Sequence, residues 1–291
     1  MGGRAQVKII GNPDLADLAV QRVEHLEALW SRFRPDSEVS TANQDAGHPV
    51  AASGETILLA SLATRGQVLT SGRFDPLLGL SLAQLGYDRT FCEIGTSTPR
   101  SPVDLPAATV AALCIDAEAG TITVPSGHAF DPGGIGKGLA GDLVVANLLE
   151  AGADGVLVDL GGDVRVAGAG PTEAGWLIAV EDPLTEGAEL LRLHLTDGAV
   201  ASSSRLRRRW QQGAEERHHL LDPDTGRPSD NSVVGVSVVA ANGWQAEVFA
   251  KDALLAGPRG AIAALEAQDV EGVVVLDDGR HLRTAGLSVL T

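Results

Sequence analysis

The stretch Asp131 to Asp142 (Asp-Pro-Gly-Gly-Ile-Gly-Lys-Gly-Leu-Ala-Gly-Asp) constrains this chain more than any other. It sets five glycines around one lysine and runs into an apolar pattern that predicts a helix from about Gly138 to Glu150. Glycine lets backbone approach a ligand closely and admits positive φ. A helix N-terminus offers unpaired N–H groups and partial positive charge to an anion. The loop therefore points to phosphate. Gly136-x-Gly138-x-x-Gly141, with Asp159 18 residues further on, satisfies a dinucleotide fingerprint. Two features weigh against it. Pro125-Ser126-Gly127-His128 is a poor first strand, and Asp159 precedes Gly161-Gly162, which reads as a second backbone-lined turn. A P-loop fails, because Gly138 follows Lys137 where a Ser or Thr hydroxyl is required.

The elements around this loop set the fold class. Gln6–Ile10 reads as a strand and Asp14–Arg34 as a helix, with Asp14 as its cap and Pro35 as its stop. Gly54–Thr70 reads as a helix ended by Gly72, and Leu77–Leu85 as a further one. Pro99–Pro106 reads as a loop, and Val110–Asp116 with Thr121–Val124 as a hairpin. Beyond the glycine loop, strands are expected at 155–160, 164–166, 176–180, 189–195, 199–202 and 233–240. The helices Trp244–Ala256 and Gly260–Ala267 and a terminal hairpin at 273–276 and 281–284 follow. Long β stretches between helix pairs argue for an α+β fold. At 291 residues the chain is either one large domain or two intimate lobes.

Composition excludes several functions. A net charge of −16, with basic residues clustered only at Arg205, Arg207, Arg208 and Arg209, argues against nucleic acid. That cluster reads as a solvated loop or strand edge, or as a dock for an acidic segment. In so acidic a chain, a phosphate site must concentrate Lys, Arg, His or a metal ion locally. Cys92 and Cys114 are expected to be buried free thiols. No run reaches the roughly 18 apolar residues of a membrane span. No apolar signal region or lipidation cysteine is seen at the N-terminus, so a cytoplasmic protein is expected, with a trimmed exported chain as the alternative.

Three further constellations carry chemistry. His218 and His219 stand just before the turn Asp222-Pro223-Asp224-Thr225-Gly226-Arg227-Pro228. They are either an exposed pair at a strand end or place one imidazole where it can accept a proton near neutral pH. Glu247 and Lys251 are spaced i, i+4 on an expected helix, which by charge alone reads as a surface ion pair. Ser202, Ser203 and Ser204 lack the Gly-x-Ser-x-Gly elbow of a serine hydrolase, and no His or Cys spacing supports zinc.

Seven segments in order resemble motifs of the ApbE family of FAD:protein FMN transferases. Met1-Gly2-Gly3 resembles its Met-Gly-Thr start, and Arg32 to Ser40 its segment built on Pro-x-Ser-Glu-Leu/Val-Ser. Ser71 to Pro76 is similar to Gly-Gly-Ala-Phe-Asp-Pro, and Asp131 to Asp142 to Asp-Leu-Gly-Gly-Ile-Ala-Lys-Gly-Tyr-Ala-x-Asp. Leu160 to Asp163 resembles Leu-Gly-Gly-Asp, Ala201 to Ser203 resembles Thr-Ser-Gly, and His219 to Pro228 resembles His-Ile-Ile-Asp-Pro-x-Thr-Gly-Arg-Pro. The resemblance implies an α+β, T-fold-related architecture of mixed sheets with packed helices, and FAD as substrate. A single domain over 1–291 would hold it, or two intimate lobes with the FAD site between them. FMN would pass through its phosphate to a Ser or Thr hydroxyl of an acceptor protein with an FMN-binding domain, releasing AMP. It implies Phe33, Arg73, Phe74, Asp75, Asp131 and Leu221 at the FAD site, Lys137 on phosphate, and His219 as the catalytic residue, either beside the pyrophosphate or taking the acceptor's proton.

The resemblance also implies a Mg²⁺ site built from the Gly134 carbonyl and two side chains of an Ala-Asp-Ala-x-Ala-Thr-Ala helix. Here that helix reads Ala246-Glu247-Val248-Phe249-Ala250-Lys251-Asp252. Glu247 stands for the Asp and remains a possible ligand, whereas Lys251 stands for the Thr and cannot ligate while protonated. Either Lys251 replaces part of the cation's charge, or Mg²⁺ still binds through Glu247 and Gly134. We expect a retained but weakened Mg²⁺ site. The alternative activities are an FAD pyrophosphatase that hands FMN to water and a non-catalytic FAD-binding protein.

Overall fold

The computed structural model describes residues 3–94, 112–213 and 215–290. Met1 and Gly2 of the start motif, the expected loop Pro99–Pro106 and the first two residues of the expected strand Val110–Asp116 lie outside the described residues. In chain order the α-helices are α1 (Ala16–Trp30), α2 (Glu38–Gln44), α3 (Gly54–Leu69), α4 (Gly79–Gln84), α5 (Gly136–Glu150), α6 (Gly243–Leu255) and α7 (Gly257–Glu266). The chain divides into two compact units. Among the described residues, one takes the span from Leu26 to Gly134 and Arg205–Asp230; the other takes Gly3–His25, Ile135–Ser204 and the span from Asn231 to residue 290.

The second unit is organised on a seven-stranded sheet in which every neighbouring pair is antiparallel. Its order is Ala5–Ile10, Gly155–Leu160, Asp163–Gly168, Gly198–Ser204, Val233–Ala240, Glu271–Leu276, His281–Arg283. A parallel sheet, which a nicotinamide-binding fold requires, is thereby excluded. Side chains alternate between the faces. On one face Leu157, Val166, Val200, Val239 and Val273 pack with Trp176, Ile178, Val180, Leu193 and Leu195 of the hairpin Trp176–Glu181/Glu189–Leu195. Burying a side chain such as Leu193 stabilises by roughly 1.5–3 kcal/mol. The helices α5, α6 and α7 pack on the sheet as well. Val233–Ala240 is buried at all eight positions, so its sequence is a near-continuous apolar run rather than an alternating one.

The first unit carries α2, α3, α4 and a small sheet ordered Val50–Ala51, Thr121–Thr123, Cys114–Asp116. Here local chemistry explains one of the motifs. Ser37 Oγ accepts the Ser40 N–H at 3.0 Å and so caps α2, which the sequence reading missed because seven residues carry little periodicity. Glu38 then accepts from both the amide and the hydroxyl of Ser53, the cap of α3. Pro-Asp-Ser-Glu-Val-Ser is therefore a device that ties two helix starts together.

Several expectations are corrected. Asn12, not Asp14, caps the first helical turn, and α1 stops at Trp30, before Pro35. Cys92 and Cys114 are exposed, in a short 3₁₀ turn and on a sheet edge. Glu247 is buried, so the Glu247/Lys251 pair is not a surface ion pair. The strands Arg209–Gln212 and Glu215–His218 form a hairpin that lacks the alternation needed to read it from sequence.

Candidate active site

The glycine loop works through close approach rather than unusual backbone. None of Gly133, Gly134, Gly136, Gly138 and Gly141 has positive φ. A Cβ on Gly138 would stand 2.2 Å from the Gly243 carbonyl oxygen, and one on Gly243 would stand 2.4 Å from the Gly138 oxygen. These two glycines let α5 and α6 cross at backbone contact. The approach has two consequences. Asp142, in the second turn of α5, accepts the Gly243 and Trp244 amides at 2.7 and 3.1 Å and caps α6. Glu247, one turn into α6, reaches back so that its Oε2 accepts the Gly138 N–H at 2.9 Å.

The sheet delivers the remaining groups. Asp163 and Arg165 lie two residues apart on one strand and so share a face. Arg165 pairs with Asp142 at 3.1 Å, and Asp163 pairs with Lys137 Nζ. Lys137 Nζ also stands 3.6 Å from Glu247 Oε1, and Lys251 Nζ stands 3.5 Å from the same oxygen. Lys251 further donates to the Glu247 carbonyl at 3.3 Å. Two carboxylates and two ammoniums thus form one compact group at the start of α5. Burial alone would push the Glu247 carboxyl up. Lys137, Lys251 and the Gly138 N–H together outweigh that burial and hold it below the ordinary carboxylate range. Burial pushes Asp142 up, against its two amides and Arg165.

This donor set does not fit Mg²⁺. A divalent ion of that size requires near-octahedral oxygen at about 2.0–2.1 Å. Both Glu247 oxygens already face N–H or ammonium groups, and Lys251 offers protons where a lone pair is needed. No group of three or more His, Cys, Asp or Glu side chains is arranged for a metal among the described residues.

In the first unit the structure brings Phe33 and Asp131 around a residue the sequence reading did not single out. The Arg32 guanidinium lies 4.2 Å from the Phe33 ring centroid and 4.6 Å from that of Tyr87. It pairs with Asp131 at 3.2 Å and donates to the Tyr87 carbonyl at 2.8 Å. Tyr87 in turn packs against Phe91 and Trp210, and Leu221 is buried in the same cluster. The signal that could have found Arg32 is its place next to Phe33 in a motif segment. Arg73, Phe74 and Asp75 follow α3 across a left-handed pair, Ser71 (φ 52°) and Gly72 (φ 85°). Phe74 is buried, and Asp75 accepts from Gln67 and from the Leu77 amide. Burial pushes the Asp75 carboxyl up, against the Leu77 amide and His128. The Asp131 amide donates to the Pro76 carbonyl at 2.8 Å, which joins this segment to the glycine loop.

His219 lies between the strands Glu215–His218 and Leu221–Asp222 and is partly buried. His218 Nε2 sits 3.1 Å from the Ser229 carbonyl, and burial holds its imidazole below the usual range. Gly134 ends the 3₁₀ turn Pro132–Gly134. Asp159, the acid a dinucleotide fingerprint would use, accepts the Gly162 amide at 2.7 Å within the Gly161–Gly162 turn.

The chain resembles known proteins over almost its whole length. The sequence profile of the ApbE family matches residues 1–274. The FAD:protein FMN transferase of Vibrio cholerae serotype O1 is 27% identical over 290 residues, covering 96% of this chain and 86% of the relative. That of Treponema pallidum is 27% identical, covering 91% and 78%. The crystal structure of the ApbE protein from Thermotoga maritima superposes with a TM-score of 0.85 at 25% identity, over 98% of this chain and 94% of that one. The flavin transferase ApbE from Vibrio cholerae superposes at 0.84, also at 25% identity, over 100% and 96%. With an α+β fold, the glycine loop against the Glu247 helix and a profile match over nearly its whole length, the chain belongs to the ApbE family.

Proposed function

We propose that the chain is a FAD:protein FMN transferase. The observation that carries this reading is Lys137, held in the first turn of α5 between Asp163 and Glu247, in a chain whose relatives bear that name. The acceptor's Ser or Thr oxygen attacks the FMN-side phosphorus of FAD, the bond from that phosphorus to the bridging oxygen breaks, and AMP leaves. Such a transfer gains chiefly from positioning and from neutralising phosphate charge. Lys137 and the first amides of α5 oppose that charge. His219 takes the hydroxyl proton, a task suited to an imidazole near neutral pH. Phe33, Arg73, Phe74, Asp75, Asp131 and Leu221 hold FAD, and the stacked Arg32 keeps Phe33 and Asp131 in place.

The acceptor belongs to a chemical class: a protein with an FMN-binding domain that presents a Ser or Thr hydroxyl. No helix among the described residues is long and apolar enough to cross a membrane. The test is to incubate the protein with FAD and such an acceptor domain and weigh the acceptor by mass spectrometry. Added FMN mass with matching AMP is the expected result. AMP and free FMN with an unmodified acceptor would mark a pyrophosphatase instead, and FAD bound with no AMP would mark a binding protein.

A further inference from the structure

We propose that Lys251 is a built-in replacement for the divalent cation, so that this chain binds no catalytic metal and works in the presence of chelator. The part concerning catalysis rests on the transferase reading; the part concerning metal binding does not.

The argument is one of charge and donors. Asp163 and Glu247 are buried, and with Lys137 alone they would leave one uncompensated negative charge at the start of α5. A buried unpaired carboxylate is costly, so such a set attracts a cation. Here the cation is covalently supplied. Lys251 stands one helical turn after Glu247, the spacing that brings two side chains together on a helix. Its ammonium meets both the Oε1 and the backbone carbonyl of Glu247. Two carboxylates and two ammoniums cancel. A divalent ion entering this group would meet a like charge within a few ångströms in a site where screening is weak, and would find no lone pair on Lys251. An ammonium is a point charge that donates to phosphate oxygens as readily as to carboxylates. Lys251 therefore supplies one of the two positive charges a divalent metal would bring, without coordination.

The experiment has two arms. In the first, free Mn²⁺, a hard cation that takes the same oxygen ligands as Mg²⁺, is titrated into protein and followed by its electron paramagnetic resonance signal, with and without FAD. The wild-type chain is expected to leave the free signal undiminished up to roughly 10⁻⁴ M. Lys251→Thr, and Lys251→Thr combined with Glu247→Asp, are expected to deplete it. In the second arm, FMN transfer to the acceptor domain is timed with and without EDTA. Wild-type transfer is expected to change less than about twofold, and transfer by a folded metal-binding variant by about tenfold or more. Depletion of Mn²⁺ by the wild-type chain, or loss of its transfer activity in EDTA, would overturn the proposal. So would folded single and double variants that both ignore Mn²⁺, since Lys251 would then not be what keeps metal out. If no variant transfers FMN under any condition, the transferase reading fails, while the Mn²⁺ arm still decides this one.

Discussion

Replacing Gly138 by alanine adds one methyl group at the tightest point of the α5–α6 crossing. The new Cβ would lie 2.2 Å from the Gly243 carbonyl oxygen and 2.7 Å from the Trp244 nitrogen, whereas real Cβ contacts stay beyond 3.0 Å. Both obstructing atoms are backbone, so no side chain can turn aside. The helices must separate by roughly 1 Å, because interiors are close-packed and cannot absorb the overlap. Overpacking of this kind costs about 1–3 kcal/mol. The separation also stretches the 2.9 Å bond from the Gly138 N–H to Glu247, and a hydrogen bond to a buried charged group is worth about 1.5–3 kcal/mol. Alanine's better helix propensity returns up to about 1 kcal/mol. The net loss is about 1.5–6 kcal/mol, or a fall in melting temperature of roughly 3–12 °C at about 2 °C per kcal/mol for a chain of this size. Calorimetry and urea unfolding at neutral pH measure it. Gly54→Ala is the control, because its Cβ would meet nothing within 4 Å, and it should stay within about 0.5 kcal/mol of wild type. A Gly138→Ala protein that melts with the control would refute the close-crossing account and the Glu247 geometry derived from it.

Glu247→Gln should destabilise by about 3–5 kcal/mol, because it leaves two ammoniums facing one carboxylate; urea midpoints measure this, and a neutral outcome would break the charge account. His218 has a folded pKa below its ordinary 6.5, so the unfolded chain binds more protons there as pH falls. Stability should therefore drop as pH falls through and below 6.5, and His218→Asn should flatten that slope in urea titrations between pH 7.5 and 5.5. Glu247 acts lower on the scale: its folded pKa lies below 4.5, so its contribution is present above pH 4.5 and is lost as pH falls through the folded value, which acid unfolding of wild type against Glu247→Gln would show. His219→Ala should lower the transfer rate far more than FAD affinity; equal losses in both would make it a binding residue only.

Sequence by itself determined the elements whose signals are local. The helix α3 has Ser53 at its cap and Gly72 beyond its end, the terminal hairpin turns at Asp278-Gly279, and the fully buried strand Val233–Ala240 declares itself by composition. The ordered motifs likewise named the family. Tertiary structure alone decided what those motifs do. An i, i+4 Glu–Lys pair looks the same in a sequence whether it is bathed in water or buried, and only the Gly138–Gly243 crossing, between residues 105 positions apart in the chain, puts Glu247 inside. Whether Asp159 serves a ligand or its own turn, and whether Asp163 faces Lys137, depends on strand register, which no local window records. The glycine loop is legible as a place where backbone must come close. That what comes close is another helix, bringing a glutamate and a lysine, follows from contacts distant in sequence.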